Sequence, residues 1–334
     1  MRNNANLDVC IDKLYLSYSK SEKIIVESHR KSWFSSQILT IPHRIKRNIF
    51  KKRLLNYIQK YSVVQRLNIE EDGPVVSLTS FPKRIDTVHM AIESIFRQTN
   101  KPSQIILWLS SDEFKGEDSL PCNLLRLKDF GLEIVFVKGN IKAHKKYYYA
   151  LKKYNNKNVI TIDDDLYYPS DMIARLLDLH KDYPNAVCAN IVRTINITDG
   201  NKFGVYRSWR KKSGEQQSVD YKNLAIGMGG VLYPKGFCCE GLFDVDKISM
   251  ICPLADDLWL KAHETKCGIK VASGKTFFPH PIVLPNTIKS GLQKQNMSHR
   301  NLNDEQWRSV VQYLGLDAQD FEAESTSLSF HANL

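Results

Sequence analysis

Three consecutive carboxylates, Asp163, Asp164 and Asp165, directly follow the apolar run Val159-Ile160-Thr161-Ile162. Neighbouring carboxylates repel one another, so three of them at the end of a buried strand are costly unless something offsets the charge. A divalent cation does so. Magnesium and manganese take oxygen ligands, keep several waters and bridge substrate phosphates. Alternation along an extended chain puts Asp163 and Asp165 on one side and turns Asp164 away. One of that pair then suits Mn2+ or Mg2+, and the other a ribose or a metal-bound water. The plainer alternative is an acidic turn capping a helix that begins near Ser170. The apolar strand before the carboxylates and Leu166-Tyr167-Tyr168-Pro169 after them favour the metal site.

The elements that must position these carboxylates alternate regularly from Val75 onward. Val75–Thr79, Ile105–Leu109, Leu132–Val137 and Val159–Ile162 read as short buried strands. Between them lie helical patterns: Val88, Ile92, Ile95 and Phe96 on one face, and Lys145 to Tyr154. Met172, Ile173, Leu176 and Leu177 mark a further helix opened by Pro169-Ser170-Asp171. Strand and helix in this rhythm predict an α/β fold, a mainly parallel sheet with helices on both faces. Ligands of such sheets sit beyond the carboxyl ends of the strands, where Asp163–Asp165 fall.

The segments VVSLTSFPKRIDTVHMAIESIFRQTNKPSQIILWLS, VITIDDDLYYPSDMI, GMGGVLYP and ADDLWL together resemble the family-2-like glycosyltransferases of GT-A fold. The likeness is nearest to the branch found in bacterial capsule and lipopolysaccharide clusters. It runs from about Val75 to Val271, and its motifs are specific in combination rather than singly.

The resemblance implies roles. The first strand and its loop would hold nucleotide base and ribose, here Thr79, Ser80, Phe81, Pro82 and Arg84; a hydroxyl, a ring and a guanidinium suit a uracil-like base and its diphosphate. Asp163 and Asp165 match the D-x-D element that meets the donor diphosphate through a metal, with Asp164 beside them on the donor side. Lys145 and Lys146 stand where donor contacts lie. Adjacent helical residues cannot both face one ligand, so one lysine is expected in solvent. Gly229 and Gly230, in Gly227-Met228-Gly229-Gly230, would line the sugar pocket, as glycine permits close approach and positive φ; a plain turn would need glycines as well. Asp256-Asp257 resembles the family's E-D motif, whose second acid is the usual catalytic base, pointing to Asp257 with Asp256 as rival. A helix terminus lowers a carboxylate pKa, so a base there needs partial burial or its neighbour's charge to regain basicity. A late histidine, His280 or His299, would be a further metal ligand or simply structural. The implied reaction is inverting transfer from a nucleotide-sugar, a UDP-sugar by resemblance, to a glycan or lipid-linked glycan acceptor.

Two other classes of protein share part of this pattern. A nucleotidyltransferase would bring a Gly-rich phosphate loop near the first strand, and Leu78–Lys83 has no glycine. A non-catalytic glycan- or membrane-binding protein would not need both acidic motifs in loops at one sheet edge.

Composition sets the remaining bounds. The chain has 334 residues, 43% hydrophobic and 25% charged, enough for one large domain with appendages. The seven cysteines are scattered and never spaced C-x-x-C, which predicts reduced thiols and a cytoplasmic setting. No apolar run reaches spanning length, and Met1 to Tyr18 lacks a signal peptide's apolar block. The formal charge is +11, and seven basic residues lie between Ile41 and Lys60 with no acid among them: Arg44, Lys46, Arg47, Lys51, Lys52, Arg53 and Lys60. Ile45, Ile49, Leu54 and Ile58 recur near a helical period there, predicting one apolar stripe on a basic helix. Such a helix suits an anionic membrane face, placing the protein at the inner leaflet, each basic residue adding about 1 kcal/mol; it equally suits a solvated face packed on the main domain. Nucleic acid is not expected as a partner, because no binding motif accompanies the charge. The polar break Glu70–Pro74 divides a basic helical lead-in, 1–70, from a catalytic domain, 71–285, and a helical tail follows over 286–334.

Overall fold

The structure is a computed structural model that describes residues 2–31, 39–60, 72–212, 217–274, 277–285, 287 and 301–322. Strands β1 (Val75–Thr79), β2 (Gln104–Ser110), β3 (Leu132–Val137) and β4 (Val159–Thr161) come first along the chain. After them lie β5 (Leu166–Tyr167), β6 (Val187–Ala189), β7 (Val192–Thr194), β8 (Ile197–Thr198), β9 (Lys202–Phe203) and β10 (Arg210–Lys212). The last are β11 (Ser218–Asp220), β12 (Asn223–Ala225), β13 (Val231–Tyr233), β14 (Val271–Ser273) and β15 (Ile282–Val283).

The central sheet is eight-stranded, in the order β11-β14-β6-β13-β4-β1-β2-β3. All its strands run one way except β13 and β11, so the sheet is mainly parallel, as the strand and helix rhythm predicts. Burial on both faces explains the near-continuous apolar runs of β1 and β2. Val76 and Leu78 of β1 join the core formed with helices Ile85–Phe96 and Met172–Asp182. Val75 joins the opposite core, where helices Lys145–Lys153, Val245–Ile251, Asp256–Lys266 and Leu302–Leu314 pack through Tyr147, Ile248, Trp259 and Trp307. Ser77 stays satisfied on that second face, accepting from Trp108 Nε1 at 2.9 Å while its hydroxyl donates to the Lys146 carbonyl.

The lead-in contributes helices Arg2–Lys31 and Ile41–Lys60, packed along each other. Ile11, Tyr15, Tyr18, Leu54 and Ile58 share a core with Met90, Ala91, Tyr167, Ile282 and Leu284 of the main domain. The single apolar stripe expected on the second helix is not there. Leu54 and Ile58 are 0% and 3% exposed, whereas Ile45 and Ile49 are 55% and 46% exposed. The reason is the five-residue step from Ile49 to Leu54, which at 3.6 residues per turn rotates the pattern by about 140°. Two short apolar patches therefore occupy opposite faces. Among the described residues no helix is long and apolar enough to cross a membrane. All seven cysteines are free.

Candidate active site

Parallel pairing of β1 with β4 brings the residues after both strands together at one edge of the sheet. Asp164, expected only as a donor-side neighbour, is a buried anchor, 5% exposed. It accepts from Ser80 Oγ at 2.6 Å and from Arg84 Nη1 at 2.5 Å. Arg84 Nη2 lies 3.0 Å from Asp165 Oδ2, so the guanidinium forks across two of the three carboxylates. Its Nε is buried without a hydrogen-bond partner, and the Phe81 ring lies 5.4 Å from its carbon. Burial, and next the charge of Asp163, push the Asp165 carboxyl up to about 7. The Thr79 hydroxyl donates 2.8 Å to the Trp108 carbonyl and so ties neighbouring strands, its oxygen keeping the capacity to accept.

Both lysines are buried, against the expectation that one would be in solvent: Lys145 is 1% and Lys146 5% exposed. They diverge as adjacent helical residues must, and each finds its own partners. Lys145 donates to Asn140 Oδ1 at 2.6 Å and lies 3.9 Å from Glu113 Oε2. Lys146 Nζ donates to Asp163 Oδ1 at 2.7 Å and lies 2.9 Å from Asp256 Oδ2. Burial disfavours the Lys146 ammonium, but Asp163 and Asp256 outweigh it and hold the group charged well above the usual lysine range.

That ammonium splits the roles of the second acidic pair. Asp256 is buried; desolvation raises its carboxyl, yet Lys146 more than compensates and leaves it below the ordinary range. Asp257 is only half-buried and accepts the backbone N–H of Gly227. Desolvation, followed by the negative charge of Asp256, pushes Asp257 well above the usual carboxylate range. Asp257 thus has the basicity that a helix N-terminus would otherwise remove, and Asp256 does not.

The glycine motif is divided as well. A Cβ on Gly227 would sit 3.0 Å from Lys146 Nζ and 3.1 Å from Asp163 Oδ1. Gly229 and Gly230, the expected sugar-pocket residues, pack elsewhere: their Cβ positions fall 2.9 Å from Ile191 Cγ1 and 2.7 Å from Met172 Sδ, and Gly230 has φ +77°. Gly227 is the glycine at the carboxylates, and its place in the G-M-G-G run is the only signal of it in the sequence. His144 was not legible either. Burial brings its pKa down to about 4; neutral, its Nε2 lies 2.8 Å from the Cys252 carbonyl and its Nδ1 2.9 Å from Tyr147 Oη. It thereby ties the Lys145–Lys153 helix to the turn that leads into Asp256.

His280 is not at the carboxylates. Its Nδ1 lies 2.8 Å from Glu22 Oε1, and its backbone N–H donates to Glu22 Oε2 at 2.9 Å. Glu22 is buried, so His280 serves as its partner and pins the lead-in to the main domain. His299 lies outside the described residues. Among the described residues no three His, Cys, Asp or Glu side chains gather as a metal cage. Asp163 and Asp165 nonetheless offer the hard oxygen atoms that magnesium and manganese accept. Two carboxylates fit a cation whose other ligands are waters and phosphate oxygens.

A mainly parallel α/β sheet with reversed β13 set between parallel strands, and carboxylates at its carboxyl edge, is a GT-A type fold. Residues 80–233, a little under half of the chain, match the family model described as Glycosyl transferase family 2. Ser80, Arg84, Lys146, Asp163, Asp165 and Gly227 fall in that stretch, while Asp256 and Asp257 lie beyond it. No curated protein matches the sequence. Among solved structures, the chain is similar to S. aureus TarS 1-349, with 11% identity and a TM-score of 0.42, over 72% of this chain and 70% of that one. It is also similar to S. aureus TarS 1-349 in complex with UDP, with 10% identity and a TM-score of 0.40, over 62% of this chain and 59% of that one. Neither likeness is close enough to bear on chemistry.

Proposed function

We propose that the protein is a glycosyltransferase that moves a sugar from a UDP-sugar to a hydroxyl of a surface polysaccharide or lipid-linked glycan, with inversion at the anomeric carbon. The observation that carries this reading is the separation of two adjacent acids by one ammonium: Lys146 holds Asp256 ionised while Asp257 becomes basic beside it. General-base catalysis needs a carboxylate of raised pKa within reach of the acceptor. Asp257, half-buried and facing Gly227, takes the acceptor proton as the hydroxyl attacks. Lys146 and Arg84, the cations among these carboxylates, would lend positive charge to a departing diphosphate. Asp165 with Asp163 would hold Mn2+ or Mg2+, which when bound neutralises charge on the leaving nucleoside diphosphate. The family match over residues 80–233 supports the transferase class, and the sequence resemblance supports UDP, inversion and a capsule- or lipopolysaccharide-type acceptor.

The test is release of nucleoside diphosphate from a panel of nucleotide sugars, with manganese or magnesium and without acceptor. Hydrolysis of one donor, lost with EDTA and in Asp165→Ala, is the expected result. Absence of turnover, together with no UDP binding by calorimetry in either metal, would sink the proposal.

A further inference from the structure

The helix Ile41–Lys60 presents an outward face that the main domain leaves uncovered. Leu39, Ile41, Ile45 and Ile49 are 68%, 49%, 55% and 46% exposed. The three isoleucines follow each other every four residues, so they form one strip over the first turns of the helix. Lys52 falls within the same arc, and Lys46 and Arg53 border it; all three are exposed, and among the described residues none forms an ion pair. No acidic residue occurs anywhere from Ile41 to Lys60. Leu54 and Ile58 hold the opposite side in the core, which fixes which face looks outward.

We propose that this face docks on an anionic lipid surface, with Ile41, Ile45 and Ile49 entering the headgroup boundary and Lys46, Lys52 and Arg53 meeting lipid phosphates. An interfacial helix combines apolar side chains that leave water with cations that stay at headgroup level, and both are present on one face here. A second copy of the chain is the poorer occupant. A two-fold contact would set this cationic face against itself, with no acid on the helix to offset the repulsion. A nucleic-acid backbone would reward the cations and leave the isoleucines in water. The proposal does not depend on the transferase reading, since a chain that binds vesicles and transfers nothing still satisfies it.

The experiment is flotation of the full chain with vesicles of phosphatidylcholine alone and with added phosphatidylglycerol. Binding to the anionic vesicles, weakened by salt and absent from the neutral ones, is expected. Two paired variants separate the contributions: Ile45→Asp with Ile49→Asp, and Lys52→Glu with Arg53→Glu. Each pair should weaken binding about tenfold or more. Their thermal melts should match the parent, because all four side chains are exposed. Equal binding to both vesicle types, binding to neither, or full retention in the isoleucine pair would overturn the proposal. So would a dimer, measured by sedimentation equilibrium, that dissociates in the isoleucine pair while vesicle binding is absent.

Discussion

Asp163 and Asp256, one after β4 and the other at the start of a helix far along the chain, are bridged by Lys146 at 2.7 Å and 2.9 Å. The bridge joins the carboxylates proposed to hold a metal to the pair that includes the proposed base. It also makes Lys146 the residue whose loss should be felt on both sides.

Lys146→Met leaves Asp256 buried beside its neighbour without its cation. Removing one partner of a buried ion pair costs about 3–5 kcal/mol. Urea unfolding should show a loss of that order, and Lys146→Arg should recover part of it. A midpoint unchanged in Lys146→Met would mean that the bridge is not formed in solution.

Asp257→Asn removes the proposed base while leaving Lys146 and Asp256 in place. Turnover should fall by about 10²- to 10⁴-fold. UDP affinity measured by calorimetry should stay within error, because Asp257 is assigned to the acceptor proton. Retained turnover would move the base elsewhere.

The pH profile tests the charge division directly. Asp257 must be ionised to act, and its raised pKa means that activity is lost on acidification earlier than an ordinary carboxylate would give. Asp256→Asn deletes a negative neighbour, so the Asp257 pKa should fall and the acid limb of kcat/KM should move to lower pH. A limb that stays in place would show that burial alone, not Asp256, sets the basicity.

Gly227→Ala places a methyl group 3.0 Å from Lys146 Nζ and 3.1 Å from Asp163 Oδ1. Overpacking of this kind costs about 1–3 kcal/mol. The expected signature is a loss of turnover larger than the stability loss accounts for, since the displaced atoms are those of the bridge. Melting and turnover measured on the same preparation separate the two effects.

Much of the fold was legible because local patterns report it. Leu132–Val137 and Val75–Thr79 are strands as expected, and Val88, Ile92, Ile95 and Phe96 line the buried face of their helix. The acidic motifs were legible too, since carboxylates at the end of an apolar strand have few inexpensive structural roles. The lead-in was less so. Ile45, Ile49, Leu54 and Ile58 look evenly spaced in the chain, but one extra residue between Ile49 and Leu54 turns them onto opposite faces.

Residue order along the chain settles which chemical groups are present and which strands carry them to one edge. How they pair depends on the folded arrangement. It set Arg84 across Asp164 and Asp165, buried Lys146 between Asp163 and Asp256, gave Asp257 rather than Asp256 the raised basicity, and sent His280 to Glu22. The physical reason is that a hydrophobic pattern constrains each segment along its own length. The charge state of a carboxylate depends instead on burial and on neighbours that arrive from distant parts of the chain.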